Sequence, residues 1–346
     1  MSERLINLIL DEPIFLDRAF VFTTRARIAR NIKKYPFPHQ MDEKQAEKLV
    51  QDVVDAISSF INDWYLIVPM AKTDRMVRHL MVERHIISHE FAEDGFGKTL
   101  IWLPSLGLRI LVNEEDHLRI CCYKPYKDSF SIWKILDSFD DKLSEKLEYA
   151  FDREFGYLTS CPTNLGSGLR VSSIAFLPAL KSTGRIKKIF DTICRLGCVI
   201  RGFYGEGSPS IANFYQIATG NALGKTEIEI CKSFDAIMGA VEEHEKELLS
   251  YVNIKSVKRS IKIFLNKIFG NTLREISFEQ AVNGISLLLF GKKLGIIQVE
   301  ENILRRLIYR IMPASLQIET RMHLKDEEQN AMRLALLKKE IGSIYV

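Results

Sequence analysis

The chain has 346 residues and a net charge of +4 at neutral pH; 47% of the residues are hydrophobic and 27% are charged. A full-sized core can therefore be buried, and so weak a positive charge does not point to nucleic acid. At roughly 150 residues per domain the length suggests two domains, although one large fold with a lobe is equally allowed.

No stretch approaches the ~18 consecutive apolar residues of a membrane span, so no membrane partner is expected. The opening segment, MSERLINLILDEP, interrupts its apolar residues with charges, and no small-residue cleavage site follows it. It does not read as a signal peptide. The six cysteines are Cys121, Cys122, Cys161, Cys194, Cys198 and Cys231. None forms a Cys-x-x-Cys pair and no His-x-x-x-His accompanies them, so they read as reduced cytosolic thiols and no metal ligands are assigned.

Residues 42–62 carry apolar side chains at three-and-four spacing and predict an amphipathic helix, with Asp42 as N-cap and Gln45 as its capping-box partner. Further on, 108–113, 117–123, 169–177, 198–204 and 213–219 are short, rich in β-branched and aromatic residues, and bounded by turn residues. The first two are separated only by Glu114-Glu115-Asp116 and predict a hairpin. A helical pattern at 185–196 interrupts the strands without regular alternation, which favours an α+β fold: a largely antiparallel sheet flanked by helices. From about residue 241 the pattern turns helical, at 241–268, 277–290, 299–311 and 326–341, punctuated by Gly270, Gly291 and Pro313. The expected domains are 1–238, carrying the sheet, and 239–346, an all-helical C-terminal domain.

The chain has neither a GxxxxGK[ST] loop nor the GxGxxG, HRD and DFG set, so the two common nucleotide cradles are absent. Instead, arginines recur at the expected strand ends: Arg25 and Arg27, Arg119, Arg170 and Arg201. Their planar, permanently charged forks suit phosphate oxygens. Carboxylates lie close to them in sequence, at Glu114-Glu115-Asp116 and at Glu206. A guanidinium is a poor nucleophile because its lone pairs are delocalised and its pKa is above about 12. A fixed carboxylate pair can bind it, localise its charge and take its proton as a phosphoryl group arrives. Arginines for phosphate beside carboxylates for a guanidinium form a coherent set for N-phosphorylation.

The segments TTRARIARN (23–31), NEEDHLRI (113–120), GYLTSCPTNLGSGLR (156–170) and RGFYGEG (201–207) resemble the signatures of the phosphagen (guanidino) kinases, in the right order over some 200 residues. The resemblance implies ATP and magnesium as cofactors. It implies an ATP site built from Thr23, Thr24, Arg25, Ala26, Arg27, His85, Arg119, Arg170, Val171, Ser172, Ser173, Ile174, Arg201, Gly202, Phe203, Tyr204, Gly205 and Glu206. Glu115 would be the catalytic carboxylate, Glu206 its partner, and Cys161 the cysteine beside the guanidinium. The other cysteines are assigned to packing, His117 to a structural hydrogen bond and His79 to the surface.

The first arginine motif begins at Thr23, which leaves no room for the helical domain that precedes it in the small-molecule kinases, and a helical region follows the sheet instead. This layout resembles the bacterial protein-arginine kinases. That branch implies protein substrates bearing arginine, a zinc-binding activator protein, a Clp ATPase, a cytoplasmic location and a homodimer through the helical region. It also carries an RDxxRA motif that binds phosphoarginine. The matching stretch here is QNAMRL, where Gln329 and Asn330 replace Arg-Asp and Arg333 is kept, so weakened phosphoarginine sensing is expected unless the motif is shifted in register. Alternative readings are a kinase for free arginine and a non-catalytic adaptor that keeps the fold.

Overall fold

The computed structural model describes residues 2–11, 20–123, 128–203, 210–270 and 272–342. The chain forms two compact units. The first takes Met1–Ala175, Ile189–Ile200 and Gln216–Glu242; the second takes Phe176–Lys188, Arg201–Tyr215 and Glu243–Val346. In chain order the elements are α1 (Ser2–Asp11), β1 (Val21–Arg30), α2 (Glu43–Ser58), β2 (Leu66–Pro69), α3 (Arg75–Glu83), α4 (His89–Ala92), β3 (Thr99–Leu103), β4 (Leu108–Val112), β5 (Leu118–Tyr123) and α5 (Ser129–Ser144). There follow β6 (Phe151–Asp152), β7 (Gly156–Tyr157), β8 (Leu169–Phe176), α6 (Pro178–Ser182), α7 (Ile186–Arg195), β9 (Cys198–Arg201), β10 (Phe214–Thr219) and α8 (Glu227–Leu248). The chain then continues through α9 (Ile254–Phe269), α10 (Phe278–Lys293), α11 (Glu301–Arg310), α12 (Pro313–Thr320) and α13 (Asp326–Ile341).

Eight strands form one sheet in the order β2-β3-β4-β5-β1-β8-β10-β9. The pairs from β2 through β8 are antiparallel. The α+β class read from the sequence is thus borne out. β1 is interior, paired with β5 on one side and β8 on the other. Alternation along it sends Thr24, Ala26, Ile28 and Arg30 to one face and Thr23, Arg25 and Arg27 to the other.

The even-numbered face packs on α5. There Arg30, 3% exposed, meets Asp140 at 2.7 Å, and its guanidinium lies 3.5 Å from the centre of the Tyr157 ring. Removing one partner of so buried a pair typically costs about 3–5 kcal/mol. Gly168 reflects the same crowding: its φ is +69°, and an added Cβ would sit 2.6 Å from Arg30 Nη1.

The capping box expected at Asp42 and Gln45 is present, and α2 starts where it predicts. The helical stretch expected at 241–268 is broken. α8 ends at Leu248, a tight turn follows, and α9 starts afresh with the Asn253 side chain accepting from Ser256 N. α8 also begins earlier, at Glu227, behind a box formed by Thr226 and Glu229. Gly270 and Pro313 do mark helix ends. Gly291 instead lies inside α10, where a Cβ would meet Ile261 of α9 at 2.5 Å; Gly284, two turns earlier, would meet the Phe264 ring at 2.0 Å. These glycines let α10 lie close against α9.

Candidate active site

Cross-strand register places Arg109 of β4, Cys121 of β5, Arg27 of β1 and Arg170 of β8 in one row. Arg25 is one step along the same face, and Arg119 is two residues from Cys121 and so also on that face. Arg25 and Arg27 therefore stand in mid-strand and not at a strand end as the sequence suggested; Arg119 and Arg170 are each second in their strands. A rigid interior strand fixes its side chains better than a frayed end would.

Burial lowers the pKa of Arg25, and Arg119 and Arg109 lower it further. Burial likewise lowers that of Arg27, helped by Arg119, Arg25 and Arg170. Because a guanidinium stays protonated in proteins, the depression reflects first how buried these charges are and then how closely other arginines crowd them. Such a face is built for an anion with several oxygens. Arg109 was missed in the sequence. It is 3% exposed and lies 5.4 and 5.2 Å from the ring centres of Trp102 and Tyr123. A hairpin turning at 114–116 already pairs residue 109 with 121, so its place could have been counted out.

The same hairpin brings the carboxylates. Asn113 N–H donates to His117 O at 3.0 Å, closing the turn. Arg119 then reaches back, with Nη1 2.5 Å from Glu114 Oε2 and Nη2 3.3 Å from Glu115 Oε2. Burial opposes its charge, but Glu114, then Glu115 and Asp116, hold its pKa raised overall. Glu114 also accepts from Ser88 Oγ and is buried, whereas the Glu115 side chain is 40% exposed. Glu115 is thus the carboxylate of the pair turned to solvent, beside the arginine face.

Asp116 ties this turn to two other segments. Its Oδ1 accepts from Asn31 Nδ2, just past β1, and from Ser160 N, both at 2.7 Å. The second bond anchors the loop that carries Cys161, whose Sγ is 3.1 Å from Thr163 Oγ1. Asn164 of that loop donates to Glu115 Oε2 at 3.4 Å. Gly156 and Gly166 allow the loop to close: a Cβ on Gly156 would lie 2.5 Å from Gly166 O. His117 is structural, as expected. Its Nδ1 accepts from Ile32 N at 2.9 Å and its Nε2 bonds Pro36 O at 2.8 Å, which sets a neutral Nε2–H tautomer.

His85 follows α3 with φ +55°. Burial, then Arg25 and Arg109, push its pKa down to about 3, so it offers a neutral imidazole near Arg25. Thr23, Ser172 and Ile174 share the arginine face. The side chains of Thr24, Ala26, Val171 and Ser173 point to the opposite face, where Thr24 and Ser173 hydroxyls bond at 3.1 Å.

Against this geometry, the family described as ATP:guanido phosphotransferase, C-terminal catalytic domain, matches residues 39–248. The chain belongs to that ATP:guanido phosphotransferase family. Among curated relatives, the protein-arginine kinase of Halothermothrix orenii is 34% identical over 329 residues, covering 94% of each chain. That of Caldanaerobacter subterraneus is 32% identical, covering 94% of this chain and 98% of its own. Among solved structures, the duplicated taurocyamine kinase of Schistosoma mansoni aligns with a TM-score of 0.61 at 24% identity over 69% of this chain; the match spans 35% of that duplicated chain. Lombricine kinase aligns with a TM-score of 0.60 at 20% identity, over 70% of this chain and 71% of its own. These two likenesses speak to the fold of the guanido phosphotransferase family.

The remaining expected site residues fall elsewhere. Arg201 closes β9 and Gly202 follows it. Phe203 is buried, with its ring 5.6 Å from that of Phe214 and 6.1 Å from that of Tyr309. Tyr204, Gly205 and Glu206 lie outside the described residues. Gln329, Asn330 and Arg333 sit on α13 in the second unit. Among the described residues no helix is long and apolar enough to cross a membrane.

Proposed function

We propose that this chain transfers the γ-phosphate of ATP to the guanidinium of arginine side chains in proteins. The observation that carries the proposal is Arg119, which belongs to the arginine face and also pairs with Glu114 and Glu115 of the turn beside it. Phosphoryl transfer asks the protein chiefly for position and for charge around the moving oxygens. Arg25, Arg27, Arg119 and Arg170, with Arg201, hold the phosphates, and His85 contacts the nucleotide. Glu115, with Glu206, orients the acceptor guanidinium. As the N–P bond forms and the O–P bond to ADP breaks, Glu115 takes the proton that the nitrogen loses. Cys161 stands beside the guanidinium. The preference for protein arginine is supported by relatives named protein-arginine kinase that match along almost the whole chain.

Magnesium fits as a nucleotide-borne ion. The described residues hold no group of three or more His, Cys, Asp or Glu side chains that could form a metal cage, and magnesium commonly binds through phosphates and water with few protein ligands. When bound it would neutralise charge on the β- and γ-phosphates. The proposal extends to a zinc-binding activator and a Clp ATPase as partners, to marking of substrates for Clp-type proteolysis, to a homodimer and to a cytoplasmic location.

Incubation with γ-labelled ATP and an arginine-rich unfolded protein should yield acid-labile label, located as phosphoarginine by mass spectrometry under non-acidic conditions. Glu115→Ala should lose most of it. Undiminished labelling by Glu115→Ala, or acid-stable label on hydroxyl side chains, would overturn the proposal.

A further inference from the structure

Beside the carboxylate turn the first unit holds a cavity of about 420 Å³, with Met41, Phe96, Lys98, Asn113, Glu115 and Ser160 in its walls. The volume lies in the range of ligand pockets, and the mixture of apolar walls with a few polar groups is their usual chemistry. Asn113 is 5% exposed. Both of its amide hydrogens are used, donating to Ala46 O and Gly97 O at 3.1 Å each. The amide is therefore held in one orientation, and its Oδ1 is buried with no hydrogen-bond partner. Ser160 Oγ is buried and unpartnered as well. An acceptor left so costs about 1–3 kcal/mol, and native proteins keep one where a ligand or water satisfies it.

The surroundings are built to keep Asn113 there. Its φ is +62°, a conformation asparagine tolerates better than most residues. Gly97 opposite has φ +63°, and a Cβ on it would meet Asn113 Nδ2 at 2.7 Å and the Ala46 backbone at 2.9 Å. Lys98 is engaged with the backbone of its own loop, donating to Glu90 O at 2.6 Å and Glu93 O at 3.1 Å, and so braces the wall. Phe96, at 62% exposed, stands open at this site.

We infer that this cavity receives the stretch of acceptor protein flanking the phosphorylated arginine. A flanking backbone N–H donates to Asn113 Oδ1, and the flanking side chain lies against Phe96 and Met41. The inference rests on Glu115 taking the guanidinium, as proposed above. Glu115 lines the cavity, and a guanidinium held there is the tip of a long stem, so the chain that bears it occupies the adjoining space. A free guanidino compound brings neither a flanking amide N–H nor a second side chain for the apolar wall.

The test uses the full chain and a short unstructured peptide of Gly, Ser and Leu with one central arginine. Phe96→Ala removes the open ring, and Met41→Trp fills the cavity. Each should raise the KM for peptide about tenfold, the usual loss on removing a contact worth about 1.4 kcal/mol, with kcat and the KM for ATP within about twofold of wild type. In parallel, a fluorescent peptide with lysine in place of arginine should bind wild type and bind both variants about tenfold more weakly. Unchanged peptide KM and unchanged binding in both variants would overturn the inference while leaving the kinase activity standing. No transfer by the wild type would overturn the proposed function instead, and lysine-peptide binding would then decide the cavity alone: weakened by the variants it supports the inference, unchanged it sinks it.

Discussion

Asp116 joins β1, the carboxylate turn and the Cys161 loop, and replacing it measures how much the site depends on that joint. It is 2% exposed, and both of its donors, Asn31 Nδ2 and Ser160 N, bond the same oxygen at 2.7 Å. Asp116→Ala leaves two buried donors unpaired. Hydrogen bonds to a charged group contribute about 1.5–3 kcal/mol each, so two amount to roughly 3–6 kcal/mol, with about 3–4 expected once water enters the gap. Asp116→Asn keeps an acceptor oxygen at the shared point and loses only the charge assistance, at about 1 kcal/mol. Urea unfolding of the three proteins should rank wild type, then Asn, then Ala by midpoint. The activity assay should show Ala losing kcat far more than affinity for ATP, because the Cys161 loop and Glu115 shift while the arginine face stays on its strands. Equal losses for Asn and Ala would refute the reasoning, as would an Ala variant within about 0.5 kcal/mol of wild type, the scatter of neutral surface changes.

Like charges crowd Arg27, so Arg27→Met should raise the melting temperature while raising the KM for ATP at least tenfold; a melting temperature that falls would show that the cluster is not strained by its charge. Glu245 of α8 is fully buried and accepts from Ala179 N at 2.6 Å and Leu180 N at 2.9 Å, and burial, partly offset by those bonds, raises its pKa from 4.5 to about 7. A carboxyl with a raised folded pKa contributes stability below its unfolded pKa and loses it as pH rises through the folded value. Wild type should therefore lose on the order of 2–3 kcal/mol between about pH 5 and 7, and a Glu245→Gln urea series should be flat there; a parallel slope in both proteins would refute this. Arg333 is 4% exposed and donates to Ile311 O at 2.8 Å, Asn330 Oδ1 at 2.6 Å and Gln329 Oε1 at 3.1 Å. The two residues that replace the Arg-Asp pair thus occupy it, so calorimetry should find no tight phosphoarginine binding, and Arg333→Ala should cost about 1–3 kcal/mol of stability. Saturable binding abolished by Arg333→Ala would refute it.

Local signals were the legible ones. Asp42 and Gln45 predicted a helix start that is present, and three acidic residues between two apolar runs predicted a hairpin that is present. The helical break at 249–253 was hidden because Leu248, Leu249 and Val252 continue an apolar pattern across it, leaving Asn253 as its one cue. Gly291 resembles a helix stop by composition, and only packing against Ile261 reveals why it is interior. β1 was harder still. TTRARIAR reads as a charged segment with a few small apolar residues, yet it is an interior strand of the sheet, because Thr24, Ala26 and Ile28 bury one face while the arginines are held on the other.

That two-sided strand explains why the site exists at all. Arginine side chains on adjacent strands repel one another, and no sequence would place five of them, Arg109 included, on one sheet face for stability. Two features make the arrangement tolerable. The opposite face of β1 is anchored by apolar burial and by the Arg30–Asp140 pair, so the backbone cannot relax away from the strain. On the charged face, the Glu114–Asp116 turn supplies carboxylates to Arg119, the arginine nearest the turn. The surplus positive charge is thus displaced toward one end of the face. On the function proposed above, a polyphosphate bound there would complete the neutralisation, with its terminal group toward the end where Arg119 and Glu115 meet. On that proposal the fold would hold binding energy in reserve for the anion, and would release it where a carboxylate is available to take a proton.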